Sequence, residues 1–95
     1  MIHLLEVTSD MTPPQLKKLS RRYAMTGGYE IALKGNQSQS DLEKLVEIYG
    51  PELANYSRSD ARFRTNNAYR ILYLIYNVDC ASSELKDKIS IILGI

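Results

Sequence analysis

Residues 59–78 constrain the fold most, because their apolar side chains recur with the period of an α-helix. On a helical wheel these side chains gather on one broad side, which has to face a core: Phe63, Ala68, Ile71, Leu72, Leu74, Ile75 and Val78. A chain of 95 residues has room for one such core. We therefore predict a single domain over residues 1–95 whose longest helix spans this segment.

The opposite side of this predicted helix carries tyrosine, arginine and asparagine. Arg62, Asn66, Tyr69 and Tyr73 form an almost straight row, and Arg70 lies beside it. A solvated helix face is usually built from Glu, Lys, Gln and Ala, which are better helix formers. Tyr and Arg are enriched at interface hot spots, because they combine contact area with directed hydrogen bonds. The pattern therefore predicts a face that contacts a partner.

The same pattern also has an intramolecular interpretation. The two tyrosines could lie half-buried under a neighbouring helix, with only their hydroxyls in water. The arginines could pair with acids of the preceding helix, which are Asp41, Glu43 and Glu47. Arg64 falls toward the apolar side of the wheel, so it has either to snorkel or to meet a carboxylate. The sequence leaves both interpretations open.

Capping signals predict the first of the other helices. Thr12 is suited to cap it, Pro13 occupies a tolerated first position, and Gln15 completes a capping box. Gly27-Gly28 should end it, because glycine accepts the left-handed conformation of a last turn.

Two further helices carry similar signals. Ser40 to Glu43 reads as a capping box that starts one of them, and Gly50-Pro51 should stop it. The last helix should open near Ser82-Ser83, and its end, ISIILGI (residues 89–95), is too apolar to be left in water. This segment should dock on the bundle or on another chain.

Residues 29–34 are ambiguous. They alternate between apolar and polar side chains in YEIALK, which favours a strand, but six residues could equally form a short helix. A strand here could pair with the opening MIHLLEV. The predicted fold class is therefore mainly α: a small single-domain bundle of four to five helices, with a short two-stranded β element near the N-terminus if residues 29–34 are extended.

A second basic group lies on the first helix, opposite its apolar face. Lys17, Lys18, Arg21 and Arg22 form this group. Such a group is usually a solvated face. If it lay beside the row that starts at Arg62, the two would form one positive surface, so we treat Lys18, Arg21 and Arg22 as auxiliary contact residues.

The sequence offers little for catalysis. His3 is the only histidine, and we expect it in a mobile N-terminal segment, where it would be a poor general base. The one cysteine, Cys80, cannot form an intrachain disulfide or a thiolate metal cluster. We therefore expect no enzyme activity, no cofactor and no metal. The absence of a secretory signal pattern and of a long apolar run favours a cytoplasmic protein without membrane contact.

These features lead to two functional hypotheses. The first is a small regulatory or inhibitory protein that binds a protein partner through the Tyr/Arg/Asn face. The alternative is a nucleic-acid binder, because residues 50–67 loosely resemble a helix-turn-helix with a basic second helix. The net charge of +1 argues against this alternative, since DNA-binding domains of this size are usually distinctly basic. A homodimer through residues 89–95 is a further structural possibility.

Overall fold

The computed structural model describes residues 2–95. Within this range two strands and five helices follow in chain order: β1 (His3–Val7), α1 (Pro13–Ala24), β2 (Tyr29–Leu33), α2 (Gln39–Leu53), α3 (Ala61–Thr65), α4 (Asn67–Asn77) and α5 (Ser83–Leu93). The predicted mainly helical class is confirmed. The ambiguous segment is a strand, so the short β element near the N-terminus is present.

The strands β1 and β2 pair in parallel, with α1 as the crossover between them. In this register Leu5 is opposite Ile31 and Val7 is opposite Leu33, so the side chains of each pair lie on the same face of the sheet. Leu5 and Val7 are fully buried, whereas Leu4 is 60% exposed. One face of the sheet therefore packs on the protein, and the other faces solvent.

Helix α1 begins as its sequence predicts and ends slightly earlier. The Thr12 backbone N–H donates to the Gln15 side chain over 3.0 Å, which forms the predicted capping-box contact. The helix ends at Ala24, and the Gly28 N–H, in a turn where its φ is +98°, donates to the Tyr23 carbonyl. His3 lies at the start of β1, and its ring stacks on Tyr23 with a centroid distance of 4.3 Å.

Both predicted ends of α2 are wrong. The helix is capped by Ser38, whose hydroxyl accepts from the Asp41 N–H, and not by a box that starts at Ser40. The Ser38 N–H donates to the Asp41 carboxylate in return, and hydrogen bonds from Ser38 and Ser9 to this carboxylate lower the pKa of Asp41. The helix also continues through Pro51 to Leu53, because tertiary packing keeps this turn helical: Tyr49 and Leu53 are both buried.

Helix α4 is the centre of the core and packs against α2, α5 and β2. Its buried residues are those that the helical wheel predicts: Ala68, Ile71, Leu72 and Ile75. Ile71, Leu72 and Ile75 have no exposed surface. The prediction is confirmed for these four residues, whereas Leu74, predicted on the same side, is half-buried and lines a surface groove.

The predicted single helix over residues 59–78 is wrong, because it is broken at Asn66. This residue has φ −68° and ψ 138°, which is extended backbone, and it separates α3 from α4. Its side-chain oxygen accepts from the Ala68 N–H over 2.9 Å and caps α4. Asparagine favours such local contacts over the helix interior, which explains the break.

The cap predicts a measurable loss of stability. We expect Asn66→Ala to lower the free energy of unfolding by about 1 kcal/mol, because the Ala68 N–H loses its partner. Urea unfolding followed by circular dichroism measures this, with the exposed Asn55→Ala as the matched control. Equal stability of the two variants would show that the cap contributes nothing.

The C-terminal segment docks on its own bundle. Ile89 and Leu93 of α5 are buried, whereas Ile91 and Ile95 remain 73% and 52% exposed. The predicted homodimer through this segment stays a prediction. Among the helices of residues 2–95, none combines the length and the apolar character that crossing a membrane would require.

Candidate functional site

The helix break divides the predicted contact face, and α4 keeps three of its five residues. Tyr69 is half-buried, Arg70 is exposed, and Tyr73 is 45% exposed. The rings of Tyr69 and Tyr73 are nearly parallel, with an interplanar angle of 10° and centroids 6.0 Å apart. We call Tyr69, Arg70 and Tyr73 the tyrosine face.

Neighbouring aromatic rings hold this face in place. Phe63 of α3 is buried and meets Tyr69 edge to face, with a centroid distance of 5.6 Å. Tyr76 lies on the other side of Tyr73, at 6.5 Å between ring centroids. These ring contacts position Tyr69 and Tyr73, so the two rings should lose less side-chain entropy on contact than isolated ones.

A groove of about 390 Å³ runs beside the tyrosine face. The residues that line it come from β2, α3 and α4: Glu30, Ile31, Arg64, Tyr69, Arg70, Tyr73 and Leu74. Glu30 and Ile31 are consecutive strand residues, so their side chains point to opposite faces of the sheet. Because both reach the groove, it follows the edge of β2.

Two arginines give the groove positive charge. Arg64 and Arg70 are both exposed, and neither forms an ion pair with any carboxylate of residues 2–95. Of the two alternatives that the sequence left for Arg64, the carboxylate contact is absent within residues 2–95, and its side chain reaches solvent beside Ile31 and Leu74. Together with the one carboxylate of Glu30, the two guanidinium groups give the rim of the groove a net positive charge.

Arg62 contacts residues near the start of α3 and does not line the groove. Its guanidinium forms an ion pair with Asp60 at 2.8 Å and lies over the Tyr56 ring, 5.4 Å from the centroid. The hydrogen bonds from Arg62 lower the pKa of Asp60, and those to Asp60 raise the pKa of Arg62. The predicted pairing of the arginines with the acids of α2 is wrong, because Asp60 is the partner of the one ion pair within residues 2–95.

Asn66 lines a different cavity from the one beside Tyr73. It lines a polar cleft of about 360 Å³ together with Lys17 and Glu52, next to the hydrogen bond between the Tyr29 hydroxyl and Asn67. Its own side chain is already used as the helix cap. Asn66 therefore supports the position of α4, and it is not part of the groove beside Tyr73.

The basic group of α1 does not extend the groove. Lys18 and Arg22 line a separate hollow of about 540 Å³ with Met11 and Leu19. Arg21 is exposed and lines neither this hollow nor the groove. The structure therefore does not place Lys18, Arg21 and Arg22 around the cavity that the tyrosine face borders.

The side chains that line the groove are suited to binding. The lining combines apolar and aromatic side chains with guanidinium groups and one carboxylate, which suits binding to a surface that is partly apolar and partly charged. Across residues 2–95, no cluster of three or more His, Cys, Asp or Glu side chains is arranged to hold a metal ion.

Sequence reasoning missed four residues of the groove: Glu30, Ile31, Arg64 and Leu74, the last of which was predicted to face the core. The Asn66-Asn67 pair directly after Thr65 was a signal for the helix break, because asparagine is a favoured N-cap residue. The strand alternation of residues 29–34 was visible too, but its position beside α4 depends on tertiary packing.

Comparison with known proteins gives no further guide to this site, since no family model, no curated protein and no solved structure matches the chain.

Proposed function

We propose that this protein is a non-enzymatic regulatory or inhibitory protein that binds a protein partner through the tyrosine face. The observation that carries the proposal is Tyr73, a large aromatic side chain that is 45% exposed on the central helix of the core. Arg70 lies beside it without a carboxylate partner within residues 2–95. Exposed Tyr and Arg on a rigid helix are the residue types that dominate binding energy at protein interfaces.

The position of the face on α4 supports the same proposal. Ile71, Leu72 and Ile75 fix the helix from its buried side, so the exposed side has a defined geometry. A partner would bind without first ordering this helix, and less conformational entropy would be lost. We place this activity in the cytoplasm, in keeping with a chain whose one cysteine, Cys80, is free and exposed.

The experiment is affinity capture from host extract with quantitative mass spectrometry. We expect the wild-type chain to retain a defined protein and the Tyr69→Ala/Tyr73→Ala double variant to retain at least roughly tenfold less of it. Met25→Ala is the matched control, because Met25 is 86% exposed and lies outside the face. Circular dichroism verifies that each variant is folded.

Two results would contradict the proposal. One is equal capture by the wild-type chain and the double variant. The other is retention of the chain on DNA with a steep dependence on salt, which would favour the nucleic-acid alternative.

A further inference from the structure

The sheet has an edge on β2 to which no hydrogen bond from residues 2–95 is made. The His3 N–H donates to the Gly28 carbonyl at one end of the sheet, and the Lys34 N–H donates to the Val7 carbonyl at the other. Successive residues of a strand point their backbone groups to alternate sides. The backbone groups of Tyr29, Ile31 and Leu33 therefore point away from β1, toward the free edge.

This edge borders the groove beside the tyrosine face. Ile31 lines the groove from the strand side, whereas Tyr69 and Tyr73 line it from α4. The groove is thus bounded by a strand edge with unpaired hydrogen-bonding groups and by a helix with aromatic side chains. A strand edge beside a helix is a geometry in which proteins bind extended peptides by adding a strand.

The charge of the groove restricts the occupant further. Arg64 and Arg70 are exposed and have no ion-pair partner within residues 2–95, so an incoming carboxylate would gain charge-assisted hydrogen bonds without breaking existing ones. Glu30, on the same rim, disfavours a second acidic side chain beside it. A short extended segment with one acidic residue complements this arrangement better than a uniformly acidic one.

We propose that the groove between β2 and α4 binds an extended peptide segment, which pairs with the free edge of β2 as a third strand and presents an acidic side chain to Arg64 or Arg70. This inference rests on the proposed function, because it specifies how the tyrosine face recognises a partner. The main-chain hydrogen bonds to Ile31 supply affinity, and the aromatic rings and arginines select the side chains of the segment.

The test uses random linear peptides displayed on phage and selected on the wild-type chain. We expect the enriched peptides to share an acidic residue flanked by apolar or β-branched ones. An enriched peptide, made synthetically, should bind Ile31→Pro roughly tenfold more weakly than Ile31→Val, because proline removes the N–H at the edge. Proline is tolerated on an edge strand whose N–H faces solvent, so the variant should fold.

A second measurement does not depend on any variant. Hydrogen exchange of the wild-type chain with bound peptide should show slower exchange at the amides of Ile31 and Leu33, and no change at the solvent-facing residues of β1. Unchanged exchange at Ile31, or equal affinity of the proline and valine variants, would overturn strand addition. Enrichment of no peptide, or a concentration-dependent dimer that Ile31→Pro abolishes, would overturn it as well.

The two proposals can fail separately. If Tyr73→Ala weakens peptide binding and Ile31→Pro does not, the tyrosine face is a contact surface but the peptide does not pair with β2. If Tyr69→Ala/Tyr73→Ala leaves capture of the partner from host extract unchanged, the proposed function itself is wrong, whatever the peptides show.

Discussion

Ile71→Ala should lower the free energy of unfolding by about 2–5 kcal/mol, the range for truncating a large aliphatic side chain in a packed core. Ile71 has no exposed surface and belongs to α4, which packs against α2, α5 and β2. The neighbours of Ile71 lie on rigid elements, so they can collapse only partly into the cavity. Small domains are stable by about 5–15 kcal/mol, so this one change would remove much of the total.

Urea unfolding followed by circular dichroism measures this loss. Ile91→Ala is the matched control, because it makes the same chemical change at a helix position that is 73% exposed. We expect the control to stay within about 0.5 kcal/mol of the wild-type chain. A similar loss in both variants would contradict the assignment of α4 as the centre of the core.

Tyr49 should make the fold sensitive to alkaline pH. Its side chain is 1% exposed, and its hydroxyl donates to the Met11 carbonyl over 3.0 Å. Burial, with a smaller contribution from Glu52, raises the pKa of Tyr49 from 10.0 to about 12. The unfolded chain therefore releases this proton more readily than the folded protein does.

The direction of the pH effect follows from these values. Below pH 10.0 the phenol is protonated in both states, and its contribution to stability is fully present. As the pH rises toward about 12, ionisation favours the unfolded chain, and we expect a loss on the order of 2 kcal/mol from this residue. Urea unfolding of the wild-type chain and of Tyr49→Phe at several pH values measures the loss of stability that is due to ionisation of Tyr49.

The phenylalanine variant separates this contribution from other titrations. At neutral pH we expect it to be less stable by about 0.5–1.5 kcal/mol, because the half-buried Met11 carbonyl loses its hydrogen bond. Between pH 10.0 and about 12 its stability should fall less steeply than that of the wild-type chain. Parallel curves for the two proteins would contradict the assigned role of Tyr49.

Local sequence signals predicted the core of the fold well. The apolar period around Ile71 and Ile75 identified the buried side of α4, since only one side of a helix can face the core. The capping contacts of Thr12 and Ser82 also lie where their residue types predict, because such caps involve neighbours along the chain. These features depend on short-range geometry, which a single sequence contains.

The errors occurred where tertiary contacts or competing local contacts decided the structure. Pro51 did not end α2, because burial of Tyr49 and Leu53 holds the last turn against the core. Asn66 broke the longest predicted helix, because its side chain caps the following segment. The helical wheel assumed a continuous helix, and this assumption placed Arg62 and Asn66 in a row with Tyr73.

The candidate site was predictable only in part. Tyr69, Arg70 and Tyr73 share one side of α4, and the helical period shows this directly. The free edge of β2 and the position of Arg64 became visible only after folding, because they bring together residues that are distant in the chain. A groove between a strand and a helix is therefore beyond what periodicity alone can indicate.

Photo-crosslinking from the tyrosine face tests the central claim most directly, namely that this face contacts a protein partner. A benzophenone side chain is introduced by Tyr73→p-benzoylphenylalanine, with Met25→p-benzoylphenylalanine as the control at an 86% exposed position. Irradiation in host extract should give a discrete crosslinked protein from position 73 and none from position 25. The same products from both positions, or a product from position 25 alone, would contradict the claim.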